Sequence, residues 1–360
     1  MRRGILVAIL LILASCTQVA DQGTIKVGVI APLTGPVARF GGYLKEGFDL
    51  AIDEVNANGG INGKQIRLLY EDTKCPELTE TTVALKKLKE IDEVVAALGP
   101  FCGSENMVAG QFSTDNDMFI ISPGDNFGNT GEFKVNTRYL LKKEAELMAD
   151  YSIKQNWKKV GILFYDNDWG QGYKNAIKDY LEAKGGELII AESYTFASLD
   201  VRTQLLKIKE ANPDAVVIID ATSGELFQQV REAGINVPLF SEWEIEKPET
   251  QGVAGPTIEG VYYFMPGGKE TEFHKNFEEK YGKKPDVINT DSYDAAKILA
   301  EALSNCDPNY TPQCMLDYVT SLKDYQGGAG PLTFNKESWA FDKPFILKTV
   351  KDGKYVEVKE

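Results

Sequence analysis

Hydrophobic positions along the chain follow two rhythms that take turns. Ile25 to Leu33 is a short, nearly unbroken apolar run ending in Pro32-Leu33-Thr34-Gly35-Pro36, which predicts a buried strand and a turn. Leu44, Phe48, Ala51, Ile52 and Val55 then fall at helical spacing, and Asn58-Gly59-Gly60 stops that helix. Strands are predicted at Gln65 to Tyr70, Val94 to Leu98 and Met118 to Ser122, with helices at Glu77 to Ile91 and near Ser104 to Asp115. After a connecting segment near Asn136 the alternation starts again. Helices at Leu140 to Ile153, Gly170 to Ala183, Val201 to Ala211 and Glu225 to Ala233 precede strands at Val160 to Tyr165, Glu187 to Ala191, Ala215 to Ile219 and Val237 to Phe240. Such alternation implies parallel sheets with helices on both faces. Two series predict an α/β protein of two doubly wound parallel-sheet lobes.

The last third breaks the rhythm. After a strand at Val261 to Phe264 come helical patterns at Glu270 to Tyr281, Ser292 to Ser304 and near Met315 to Leu322. Phe345 to Val358 reads as a hairpin turning at Asp352-Gly353. These late elements have no sheet of their own. They are expected to pack back onto the earlier lobes, so that the chain crosses between lobes several times.

The N-terminus changes the picture of where the protein works. Arg2 and Arg3 precede an apolar run from Ile5 to Leu13. The run is shorter than the roughly 20 residues a bilayer span needs, and reads as a signal peptide. It ends in Leu13-Ala14-Ser15-Cys16, which resembles a bacterial lipobox, followed by a polar tether from Thr17 to Gly23. The mature chain is therefore expected to start at a lipidated Cys16 and to sit outside the cytoplasm, held to the membrane.

The formal net charge is −14, and losing Arg2 and Arg3 makes the mature body more acidic still. So acidic a surface repels phosphate backbones and argues against nucleic-acid partners. Four cysteines remain beyond Cys16 and admit three pairings. Export permits disulfides. Cys75 with Cys102 would join the ends of two neighbouring strands, and Cys306 with Cys314 would close the short loop from Asp307 to Gln313. No Cys-x-x-Cys pair, Gly-x-Ser-x-Gly, His-Glu-x-x-His or phosphate-loop motif occurs. The single histidine, His274, lies in a charged helical pattern and is expected to be solvated. The sequence thus predicts no enzyme, no metal site and no cofactor.

Several segments, in order, carry a resemblance: Ile30 to Pro36, Asn56 to Gly63 (NANGGING), Tyr70-Glu71-Asp72, Leu98-Gly99-Pro100, Ile121-Ser122-Pro123-Gly124, Glu278 to Asp286 (EEKYGKKPD), Ser292 to Ala296 and Gly330-Pro331-Leu332. Over nearly the whole mature chain this resembles the leucine/isoleucine/valine-binding class of ABC-importer binding proteins, with the type I periplasmic binding protein fold. The resemblance implies two lobes joined by three crossovers, near Asn136-Thr137, Tyr263-Phe264 and Pro331-Leu332, which close over a ligand in the cleft. It also implies the Cys75–Cys102 disulfide. The expected division is a leader over residues 1–15, a tether over 16–23, a first lobe over 24–136 and 264–330, and a second lobe over 137–263 and 331–360.

In open α/β sheets ligands sit at the carboxyl ends of strands, where helix N-termini offer free N–H groups. The resemblance places specific residues there. Gly103 stands where the family holds a ligand carboxylate, and Ser104 either joins it or only caps its helix. Gly124 and Asn126 match the positions that take the ammonium, and Asp125 between them either holds a cation or faces water. Phe40 and Trp169 match aromatics that line the cleft. In the second lobe Thr222, Ser223, Glu242 and Trp243 follow successive strands, with Glu242 and Glu244 flanking the position of an acid that meets the ammonium. The implied ligand is an amino acid or a related small zwitterion or amide, and the implied partners are permease subunits of an ABC importer, with the protein a monomer. The alternative is a sensor that signals to a membrane receptor, and after it a hydrolase.

Overall fold

The computed structural model describes residues 23–359 except 76, 127, 129, 196, 197, 220–223 and 269. The leader, Cys16, Thr222 and Ser223 lie outside the described residues. Among the described residues no helix is long and apolar enough to cross a membrane.

The first lobe is built from β1 (Thr24–Ala31), α1 (Ala38–Ala57), β2 (Gln65–Asp72), α2 (Leu78–Lys86), β3 (Ala96–Leu98), α3 (Gly103–Asp115), β4 (Ile120–Ser122) and β5 (Lys134–Asn136). The second follows with α4 (Leu141–Lys154), β6 (Lys159–Tyr165), α5 (Asp168–Ala183), β7 (Glu187–Tyr194), α6 (Arg202–Glu210), β8 (Ala215–Ile219), α7 (Glu225–Glu232), β9 (Leu239–Ser241), α8 (Pro248–Ala254) and β10 (Val261–Pro266). The chain then returns to the first lobe through α9 (Glu272–Tyr281), α10 (Val287–Cys306), α11 (Pro312–Ser321), β11 (Tyr325–Gly327), β12 (Gly330–Asn335) and β13 (Ala340–Asp342). It ends in the second with β14 (Phe345–Lys351) and β15 (Lys354–Glu357). The sheet orders are β11-β12-β13-β5-β4-β3-β1-β2 and β15-β14-β10-β9-β8-β6-β7. β1 to β5 run parallel, as do β6 to β10. Both expected disulfides, Cys75–Cys102 and Cys306–Cys314, are formed.

The two-lobe α/β reading agrees with this architecture, but one expected connector is a strand and two crossovers differ. Lys134–Asn136 is not a connector; it is a strand on β4, paired through Ile121 with Val135. The second crossover follows Pro266 rather than Tyr263-Phe264, because β10 stays paired with β14 as far as Pro266 opposite Phe345. The third lies at Lys343-Pro344, not at Pro331-Leu332. Residues 331–342 belong to the first sheet, where β13 pairs with β5 at Ala340 and Asn136. Trp339 fixes that edge by donating its indole N–H to the Lys134 carbonyl at 2.7 Å.

The late helices give the first lobe its centre. α10 is buried nearly all round, from Ile288 to Cys306, as expected of a helix that packs on several sides. It lies against α1, where Gly47 makes the close approach: a Cβ there would meet the Asn289 carbonyl oxygen at 2.3 Å.

Candidate functional site

In each sheet the chain reverses its direction of strand addition about the first strand of the series. β1 lies between β2 and β3, and β6 between β7 and β8. The loops at the carboxyl ends of these strands diverge there and leave a crevice. In the first lobe Phe40, in the first turn of α1, stacks on Phe101 after β3, with ring centroids 4.8 Å apart. Next to Phe101, Gly103 opens α3 behind Cys102, which the disulfide ties to Cys75. Gly103 and Ser104 are the first two residues of α3, and the first N–H groups of a helix have no intrahelical partner.

The loop after β4 is fastened to the loop after β3. Ser122 Oγ donates to the Pro100 carbonyl at 2.9 Å, and Asp125 N–H donates to the Phe101 carbonyl at 2.8 Å. A Cβ on Gly124 would sit 2.1 Å from the Phe101 carbonyl oxygen, so that position has no room for a side chain. Asn126 does not present its amide to the crevice. Its Nδ2 donates to the Arg138 carbonyl at 3.1 Å and its Oδ1 accepts from Gly128 N–H at 2.9 Å. Its role in the fold is to brace Arg138 on the first crossover.

Charges of both signs meet here, buried. Arg138 Nε lies 3.9 Å from Asp125 Oδ1, with 9% and 14% of the two side chains exposed. Burial pushes the Asp125 carboxyl up to about 6; Arg138 opposes that rise and Glu244 adds to it. Burial would lower Arg138, yet Asp125 and the surrounding phenols and acids outweigh it and the net direction is upward. From the second lobe Trp243 faces this pair, with the Arg138 guanidinium 5.7 Å from its ring centroid. Lys247 reaches across the cleft. Its Nζ is 2.7 Å from Glu244 in its own lobe and 3.9 Å from Asp286 in the first. It also lies 4.9 Å from the Phe40 ring, 5.0 Å from Trp243 and 5.9 Å from Tyr43. Glu242, the residue before Trp243, is buried as well. Trp169 stands slightly apart, packed edge-on against Tyr173 at 5.4 Å and half-buried.

The structure therefore brings Phe40, Gly103, Ser104, Gly124, Asp125, Glu242 and Trp243 to one crevice. Two residues there escaped the sequence reading: Arg138 and Lys247. Arg138 had a legible signal, because it follows Asn136-Thr137 by one residue and a crossover runs along the cleft floor. Lys247 had none, since a lysine among glutamates reads as surface. A cavity of about 970 Å³ opens on one flank of the crevice, sharing Tyr43, Trp243, Lys247 and Asp286 with it. His274 lines that cavity and is half-buried rather than solvated. Its Nδ1 accepts from Thr271 N–H at 3.1 Å, which holds the start of α9.

The protein's relatives are binding proteins. A Leu/Ile/Val-binding protein homolog 2 from Brucella abortus (strain 2308) is 26% identical, over 94% of this chain and 96% of its own length. The Leu/Ile/Val-binding protein of Escherichia coli (strain K12) is 23% identical over 77% of this chain and 76% of its own. Among solved structures, the branched-chain amino acid transporter substrate-binding protein of Streptococcus pneumoniae, in complex with isoleucine, superposes with a TM-score of 0.80 at 24% identity, covering 93% of this chain and 100% of that one. A solute-binding protein of an ABC transporter from Rhodopseudomonas palustris BisB5, in complex with 3,4-dihydroxybenzoic acid, gives 0.82 at 20% identity, covering 93% and 96%. These are binding proteins of transporters and not enzymes. The family described as periplasmic binding protein matches residues 24–354, from the first strand to the last hairpin, and the chain belongs to it.

Proposed function

We propose that the protein captures an amino acid, or a similar small zwitterion or amide, in the crevice between its lobes and delivers it to the permease of an ABC importer. The observation that supports this reading is a helix N-terminus after β3 in one lobe together with buried acids after β9 in the other. Gly103 and Ser104 at the start of α3 suit a carboxylate, and Glu242 and Glu244 suit an ammonium. Phe40, Trp243 and Trp169 cover the apolar part, and the Gly124 carbonyl adds an acceptor. Thr222 and Ser223 belong to the same proposed site by their place after β8.

In this reading the lobes close about the crossovers at residues 137–140, 267–271 and 343–344, and the Cys16 lipid keeps the protein at the membrane. Calorimetry against amino acids, amides and aromatic acids tests the ligand class. Micromolar or tighter binding of an amino acid is the expected result, and a protein that binds only benzoate-type acids overturns it. Mass spectrometry of material that co-purifies with the protein gives an independent answer. Small-angle scattering with saturating ligand should show a smaller radius of gyration if the apo protein samples an open form; an apo radius already equal to the closed value would count against hinge closure. Intact-mass measurement on membrane-extracted protein should find a diacylglycerol on Cys16.

A further inference from the structure

The first crossover carries an unused donor. Arg138 is held from behind by Asn126 Nδ2 at its carbonyl, and its guanidinium is nine-tenths buried between Asp125 and Trp243. The 3.9 Å approach to Asp125 is longer than a hydrogen bond. Its Nη1 is buried and has no hydrogen-bond partner among the described residues. Across the crevice Glu244 gives one oxygen to Lys247, while its Oε2 is likewise buried without a hydrogen bond. A buried donor left unmade costs more than a made bond returns, so a complementary ligand group is strongly favoured there.

Resting on the amino-acid reading above, we infer that Arg138 is a specificity residue, and that the ligand is an amino acid whose side chain ends in an oxygen acceptor. The α3 N-terminus takes the α-carboxylate and Glu244 Oε2 receives the ammonium. A third polar group then remains for Arg138 Nη1 to meet. An aliphatic side chain offers it nothing. Asp125 already stands beside the guanidinium, so the acceptor can be a neutral amide as well as a carboxylate, and the oxygen is the shared chemistry.

The test is calorimetry on the full-length wild-type protein with six probes: L-asparagine, L-glutamine, L-aspartate, L-glutamate, L-leucine and L-isoleucine. At least one of the first four should bind about tenfold or more tightly than either aliphatic amino acid, because a site built to hydrogen-bond rejects a ligand that lacks the group. The amide and acid arms identify which oxygen is read. Arg138→Met should erase that preference, read as the ratio of polar-probe to leucine affinity in the folded variant, and Arg138→Lys, which keeps a charge beside Asp125, should keep part of it. Leucine or isoleucine binding as tightly as all four polar probes overturns the inference and leaves the amino-acid reading standing. An unchanged preference in Arg138→Met overturns the role of Arg138. A folded wild type that binds none of the six but binds an amino acid lacking a side-chain oxygen overturns the inference alone, and one that binds only benzoate-type acids overturns both readings.

Discussion

Glu144 is the clearest single-residue case of burial setting chemistry. It accepts from Tyr139 Oη at 2.7 Å and from the Tyr173 hydroxyl, in a fully buried cluster beneath the crevice. Burial lifts its carboxyl to about 7, against the pull of both phenols and Arg138. A carboxyl raised above its unfolded value of 4.5 favours the folded state fully below about pH 4.5 and loses that contribution as pH rises through about 7. Glu144→Gln should therefore gain stability relative to wild type at pH 8, by up to about 3 kcal/mol, and lose the advantage near pH 4.5. Urea melts across that range decide it; parallel pH slopes for the two proteins would refute it. The same contrast explains which site residues were legible in the sequence. Phe40 and Trp243 are reached through the family resemblance, which places both in the segments that follow β1 and β9. Lys247 is a charge among glutamates, which reads as solvated until two lobes are seen to bury it, and Arg138 had no signal beyond its place on a crossover.

Between elements, close packing and covalent ties make separate claims. α1 meets α10 at Gly47, where backbone stands in the way of any side chain. Gly47→Ala should destabilise the protein by about 1–3 kcal/mol through overpacking, despite gaining about 1 kcal/mol in helix propensity. A stabilised variant would mean that the helices separate without cost. The two disulfides close loops of sequence separation 27 and 8. On the loop-entropy account, losing Cys75–Cys102 as a double alanine variant should cost about 3.5 kcal/mol, and losing Cys306–Cys314 about 2.5. Reversal of that order would argue against an entropic origin. Element type was legible wherever a run was long enough to show its period, as in Leu44 to Val55. It failed for Lys134–Asn136, Tyr325–Gly327, Gly330–Asn335 and Ala340–Asp342, where polar residues, glycine and proline break up the apolar run, whereas the equally short Ala96–Leu98, Ile120–Ser122 and Leu239–Ser241 sit in nearly continuous apolar runs. The misplaced third crossover follows directly from those missed strands.

At the scale of the whole molecule, two of the three crossovers meet at Asp291 of α10. Lys343, on the third crossover, forms a fully buried ion pair with Asp291, and Thr137, on the first, donates to the Asp291 carbonyl at 2.9 Å. Lys343→Met should cost about 3–5 kcal/mol, because it strands a buried carboxylate, and adding Asp291→Asn should restore most of that. A double variant no better than the single one would show that the pair acts through packing alone. The order in which the chain visits the lobes has a consequence for the time at which the protein becomes itself. A chain emerging from its N-terminus lays down β1 to β5 early, but that sheet waits for β13, and its core waits for α10, until Asp342 has appeared. The second sheet acquires its edge hairpin only at Glu357. Neither half can finish until most of the chain has appeared, so export of an unfolded thread and assembly on the far side are compatible by construction, and loss of residues from Pro331 onward would leave two incomplete lobes rather than one intact and one missing.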